Sequence, residues 1–144
     1  MQNLLKPEYV FFTDVKSKED IISFLSQSAA KNLKIKADDI YGKVMERENS
    51  NPTGIANYLA IPHTRIKSSK PFIAVAINKK GINFDSSDNL PSRIFIMLLT
   101  PESENELQLK LLSEIVKKFR DKEKVIKLLS LKEETAVIKA LEEM

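Results

Sequence analysis

The tetrapeptide Ala60-Ile61-Pro62-His63 carries the single histidine of a 144-residue chain that has no cysteine. Imidazole is thus the one side chain here that titrates near neutral pH and can also attack as a nitrogen nucleophile. It closes a segment, residues 47–55, that reads as an irregular loop between two ordered elements. Arg47 stands at the end of an expected helix, and Thr53 and Gly54 lie between it and His63. An imidazole, a guanidinium, a hydroxyl and a flexible backbone together fit a phosphoryl site. The ring nitrogen attacks phosphorus, the guanidinium offers a planar fork of donors to phosphate oxygens, and loop N–H groups can form an anion-binding concavity. Plainer roles fit the same residues: His63 as an inert loop histidine, Arg47 as a surface ion pair with Glu46 or Glu48, Thr53 and Gly54 as turn chemistry.

No other constellation competes. The chain has no G-x-x-x-x-G-K-[ST] loop and no G-x-G-x-x-G fingerprint. A serine hydrolase would need a G-x-S-x-G elbow, which is absent. Asp85 and Asp88 form a carboxylate pair in a polar stretch, where solvation explains them. Without cysteine there are no disulfides or thiolate metal sites, and one histidine excludes a histidine-rich metal centre within a single chain.

The net charge of +3, from 23 basic and 20 acidic residues, is too mild to argue for nucleic acid. The densest basic patch, Lys117, Lys118, Arg120, Lys122 and Lys124, has no interleaved aromatics for base stacking and reads as a solvated helix end. No apolar run approaches the ~20 residues that a membrane span needs, and the first residues lack a basic leader. Those features imply a cytoplasmic protein with no membrane insertion. The length fits one domain, residues 1–144, able to bury roughly two-thirds of its unfolded surface.

The elements that must hold these residues are legible from periodicity. Residues 9–12 are β-branched and aromatic, a short strand. Ser17 with Asp20 resembles a capping box, followed by Ile21, Phe24, Leu25, Ala29 and Leu33 at helical spacing. A second helix is expected from 37 to about 48, with Asp38 and Asp39 in its first turn. Residues 58–61 suit a short strand ending at Pro62. The runs 72–77 and 94–99 are apolar at every position, as central strands covered on both sides are. Lys79-Lys80-Gly81 marks a turn between them, with a further short strand at 82–84. Three apolar stripes, through Leu111 and Ile115, Val125 and Leu128, and Val137 and Leu141, predict C-terminal helices. Helices before and after buried strands imply an α/β fold, a three-layer sandwich with a mixed β-sheet flanked by helices on both faces.

Arg47-Glu48, then Pro52-Thr53-Gly54-Ile55, then Ala60-Ile61-Pro62-His63-Thr64-Arg65, resembles the signature of the fructose/mannitol-type enzyme IIA domain of the sugar phosphotransferase system, a family that includes nitrogen-regulatory IIA. The likeness extends over nearly the whole chain. It implies that His63 accepts a phosphoryl group through Nε2 from the phosphohistidine of the carrier protein HPr, or a paralogue, and passes it to an enzyme IIB. It implies that a backbone carbonyl holds the other ring nitrogen, that Arg47 neutralises charge on the phosphoryl oxygens, and that no metal and no organic cofactor takes part. The family often carries a second histidine where Gln108 stands here; a glutamine amide can donate a hydrogen bond but cannot become a cation. The alternative within the same resemblance is a regulatory module, in which phosphorylation of His63 controls binding to a partner protein. Leu59, Ile55 and Ile66 are candidates for the apolar surface that either partner would meet, and each fits a buried position equally well.

Overall fold

The computed structural model describes all 144 residues except the side chain of Gln2. Two single 3₁₀ turns, Gln2–Leu4 and Pro7–Tyr9, lead into β1 (Val10–Phe12). Then follow α1 (Lys18–Leu33), α2 (Ala37–Ser50), β2 (Leu59–Ala60), β3 (His63–Ile66), β4 (Phe72–Ile82), β5 (Ser92–Pro101), α3 (Asn105–Lys118), α4 (Lys122–Leu129) and α5 (Glu134–Glu143). The capping residue expected for α1 does its work: Ser17 Oγ accepts from the Asp20 N–H at 3.0 Å. Asp121 caps α4 in the same manner, accepting from Glu123 N–H.

The sheet runs β1-β4-β5-β2, with β3 also on β5. It is mixed. β4 and β5 are antiparallel, while β1 on β4 and β2 and β3 on β5 are parallel. The two apolar runs read from the sequence are β4 and β5, at the centre, and their alternate residues feed two separate cores. Ile73, Val75, Ile94, Ile96 and Leu98 pack with α3, α4 and α5. Ala74, Ala76, Phe95, Met97 and Leu99 pack with α1 and α2. That is the three-layer α/β sandwich, and it explains why neither run alternates with polar residues.

The structure corrects the reading of 79–84. No turn lies at Lys79-Lys80-Gly81. β4 continues to Ile82, with a register shift between Ile77 paired to Ile94 and Ile82 paired to Ser92. The extra residues are gathered by the buried side chain of Asn78, which accepts from Gly81 N–H at 3.0 Å and donates to the Val15 carbonyl at 2.7 Å. Gly81 takes φ +85°, and a Cβ there would lie 2.8 Å from Pro91. Residues 83–84 are not a strand.

Most consequential is the sheet edge. β2 and β3 pair with β5 in one unbroken register: Leu59 with Ile94, Ala60 with Phe95, His63 with Leu98, Thr64 with Leu99. They are one edge strand interrupted at Ile61-Pro62. Pro62 has no N–H to give to the ladder, although its carbonyl still accepts from Leu98 N–H at 3.0 Å. His63 therefore opens a strand rather than lying in a loop.

Candidate functional site

The interruption at Pro62 shapes the imidazole's surroundings. Ile61 turns its backbone away from β5: its N–H donates to the Thr53 carbonyl at 3.2 Å, and its own carbonyl oxygen lies 2.7 Å from His63 Nδ1. A carbonyl can only accept, so in the neutral ring Nδ1 carries the proton and Nε2 keeps its lone pair. The ring is 7% exposed. Burial pushes its pKa below the ordinary 6.5; the bond to Ile61 opposes the shift, the positive charge of Arg47 adds to it, and Glu48 opposes it. At neutral pH the imidazole is unprotonated, the form that can act as a nucleophile.

A pH prediction follows, with its sign. The folded-state value lies below the unfolded one, so the stabilisation is complete above about 6.5 and is lost as pH falls through the depressed value. Compared with His63→Gln, which has no titrating group at this place, the wild type loses stability as pH is lowered from 7 to 5. Urea midpoints of the two proteins that run parallel over that range would contradict it.

Arg47 lies in the last turn of α2 and is half-buried. Its Nη1 donates to the Asn51 carbonyl at 2.7 Å, where the chain leaves the helix. The expected alternative, an ion pair with Glu46 or Glu48, does not form: among the described residues Arg47 belongs to no salt bridge. A neutral carbonyl orients the guanidinium and leaves its charge uncompensated.

Glu48, read as a surface neighbour of Arg47, is instead 1% exposed. Its carboxylate accepts from Thr53 N–H at 2.8 Å, from the Thr53 hydroxyl, and from Lys18 Nζ at 3.1 Å. Lys18 also approaches Asp85 at 3.6 Å and lies over the Phe84 ring. Both donors of Thr53 are thereby engaged by Glu48, so Thr53 holds the loop rather than presenting donors to an anion. Sequence reasoning missed this cluster, although a signal existed. Ile40, Val44 and Glu48 fall at i, i+4 and i+8, the buried stripe of α2, so an acid there points inward. Removing Glu48 leaves a lysine and two Thr53 donors without their acceptor. Glu48→Ala is expected to lose about 3–5 kcal/mol of stability, seen as a lower urea midpoint; an unchanged midpoint would refute the role.

Gly54 bridges to Ala60. A Cβ at 54 would sit 2.6 Å from the Phe84 carbonyl oxygen and 2.7 Å from Phe84 Cβ, so glycine is required here by close approach. Gln108 is half-buried in α3, and its side chain makes no hydrogen bond among the described residues. Its level relative to His63 follows from topology. Arg65 Nη1 donates to Asn105 Oδ1 at 2.8 Å, tying β3 to the start of α3. β3 runs parallel to β5, and α3 returns after only residues 102–104. Stepping back from Arg65 to His63 thus matches stepping forward one turn from Asn105, which reaches Gln108.

Of the apolar candidates, Leu59 and Ile66 are core residues and only Ile55 is partly exposed. α3 carries two exposed apolar side chains: Leu109, 68% exposed and next to Gln108 in sequence, and Val116, two turns further on. A cleft of about 520 Å³, between α2 and the end of β3, contains none of His63, Arg47 and Gln108. Among the described residues no helix is long and apolar enough to cross a membrane. Asp85 and Asp88 are engaged locally, Asp85 with Lys18 and Asp88 with the N–H groups of Asn57 and Leu90.

Residues 3–144 match the family model described as "Phosphoenolpyruvate-dependent sugar phosphotransferase system, EIIA 2". The chain belongs to this family. Among its relatives, the fructose-specific EIIA component of Haloferax volcanii is 30% identical over 130 residues, covering 89% of this chain and 84% of that protein. The nitrogen regulatory protein of Escherichia coli is 31% identical over 108 residues, 74% of this chain and 66% of that protein. The probable licABCH operon regulator of Bacillus subtilis is 38% identical over 108 residues; the match covers 73% of this chain and 16% of the regulator. The fold is that of nitrogen regulatory protein IIA-Ntr from Neisseria meningitidis, with TM-score 0.92, 22% identity and 97% of each chain covered. It is also that of enzyme IIA-mannitol in its complex with phosphorylated enzyme IIB-mannitol from Escherichia coli, with TM-score 0.82, 16% identity, and 97% and 98% covered. This enzyme IIA chain is therefore a phosphotransferase component by family.

Proposed function

We propose that the chain is a cytoplasmic histidine phosphocarrier, taking a phosphoryl group on His63 Nε2 from phospho-HPr or a paralogue and handing it to an enzyme IIB. The observation that carries this reading is the imidazole itself. Nδ1 is bonded to the Ile61 carbonyl, burial keeps the ring neutral, and the uncompensated charge of Arg47 acts on it. As the Nε2–P bond forms, the P–N bond to the donor imidazole breaks and that ring leaves with the electron pair. The proton stays on Nδ1, donated to the Ile61 carbonyl. Developing charge falls on the phosphoryl oxygens, where a pre-oriented guanidinium is most effective. Exposed Leu109 and Val116 suit an apolar partner surface. The named complex of a IIA with a phosphorylated IIB supports a IIB as acceptor.

The test is reconstitution. With phosphoenolpyruvate, enzyme I and HPr, the protein is expected to gain one acid-labile phosphate and lose it to a cognate IIB. No incorporation would refute the reading.

A regulatory reading is favoured by two relatives named as regulators, the nitrogen regulatory protein and the operon regulator, and by a neutral Gln108 in place of a second histidine. In that case the phosphate is gained as before, no IIB discharges it, and the phosphorylated and free forms differ in affinity for a partner protein.

A further inference from the structure

Phosphorylation would bring about 1.5–2 negative charges to the ring, and the charges described so far do not match them. Arg47 supplies one positive charge. Gln108 supplies none. Lys18 is committed to buried Glu48. A second cation is nevertheless present on the strand that bears the histidine. The register pairs His63 with Leu98 and Arg65 with Thr100, so both side chains leave the same face of β3, toward α3, while Ile66 leaves the other. Two strand residues separate the pair by about 7 Å along the chain. Arg65 is exposed, and its Nη1 rests on Asn105 Oδ1 at 2.8 Å. That acceptor is a neutral amide, which orients the guanidinium without cancelling its charge. Of the two loop acids between β5 and α3, Glu102 is paired with Lys43, and Glu104 makes no salt bridge with Arg65. Among the described residues Arg65 has no carboxylate partner.

We infer that Arg65 is a phosphoryl-binding residue of this site, moving from Asn105 to the phosphoryl oxygens on His63 and supplying the positive charge that Gln108 cannot. Asn105 is its resting place, and Gln108, one turn further along α3, is where a histidine would make the same charge redundant. This inference rests on His63 being the phosphoryl acceptor.

The experiment uses the full chain as wild type, Arg65→Gln, Arg65→Lys and the double variant Arg65→Gln/Gln108→His, charged with phosphoenolpyruvate, enzyme I and HPr. Two quantities are read: the acceptance rate, and the ³¹P titration midpoint of the purified phosphoprotein with no partner present. Arg65→Gln is expected to accept at least about tenfold more slowly and to titrate at higher pH, because a cation that opposed protonation of the phosphohistidine is gone. Arg65→Lys and the double variant are expected to move the midpoint back toward wild type. A slower rate with an unmoved ³¹P midpoint in Arg65→Gln would mean that Arg65 only docks the donor, and would overturn the assignment. So would unchanged rate and midpoint together. Wild type that takes no phosphate removes the parent reading instead, and the two failures are told apart by that control.

Discussion

His63→Gln is expected to incorporate no phosphate under conditions where the wild type is fully charged. The reason is stoichiometric as well as geometric. The chain has no second histidine and no cysteine to take over, so no other side chain offers a neutral imidazole or a thiolate nucleophile at pH 7. The glutamine amide can still donate toward the Ile61 carbonyl, which otherwise loses its 2.7 Å partner, so the fold should survive. Loss of that single bond costs about 1 kcal/mol. Incorporation is measured as acid-labile phosphate by intact-mass spectrometry, with far-ultraviolet circular dichroism confirming the fold. Labelling of the folded variant at the wild-type level would place the acceptor elsewhere and remove the proposed function.

Arg47→Gln should be the next most damaging change, slowing phosphoryl acceptance by about 10²–10³-fold, the usual cost of deleting one pre-organised donor from a site of charge development. Two features make the effect large. The guanidinium is oriented by the Asn51 carbonyl, so little reorganisation is needed when charge builds on the phosphoryl oxygens. No carboxylate shares it, since Glu48 is occupied by Lys18 and Thr53. The same substitution has a second signature. Arg47 is one of the groups that hold the His63 pKa down, so the variant's imidazole must titrate at higher pH than the wild type's, which NMR of the ring protons reads directly. Slow transfer with an unshifted imidazole would assign Arg47 to partner docking rather than to the reacting centre.

The site was partly legible in the chain, and its legible parts share a cause. Pro62 lacks a donor wherever it sits, so a break in any strand there could be foreseen from covalent structure, and His63 beside it is unique by composition. The carbonyl on Nδ1 was an expectation carried by family resemblance; the residue that provides it, Ile61, became known only when the strand edge was seen. Glu48 shows the opposite case. Its neighbours in sequence made it look like Arg47's partner, whereas its helical phase with Ile40 and Val44 carries it inward to Thr53 and Lys18. Thr53 followed it, changing from an anion donor to a loop anchor.

Fold-level features divide in the same way. The uniform apolarity of 72–77 and 94–99 required helices over both faces, because strands covered on one face only would alternate; the sandwich was implied before any coordinate. The supposed turn at 79–81 failed because local composition cannot register the buried Asn78, whose two hydrogen bonds, to Gly81 and to Val15, stabilise a bulge instead. Leu59 and Ile66 read equally as surface or core, because nothing within a short segment says which strand becomes the edge and which helices cover it; the structure buries both.

By itself the amino-acid sequence determined the family and the layered α/β class and singled out the candidate nucleophile and the candidate guanidinium, since these depend on residue type and on short-range spacing. The tertiary structure alone decided which acceptor orients the ring, that Arg47 is uncompensated while Glu48 is buried, and that Arg65 shares a strand face with His63 opposite Asn105 and Gln108. Those relations join residues from α1, α2, β3 and α3, and only the pairing of the edge strand with β5 brings them to one end of the sheet.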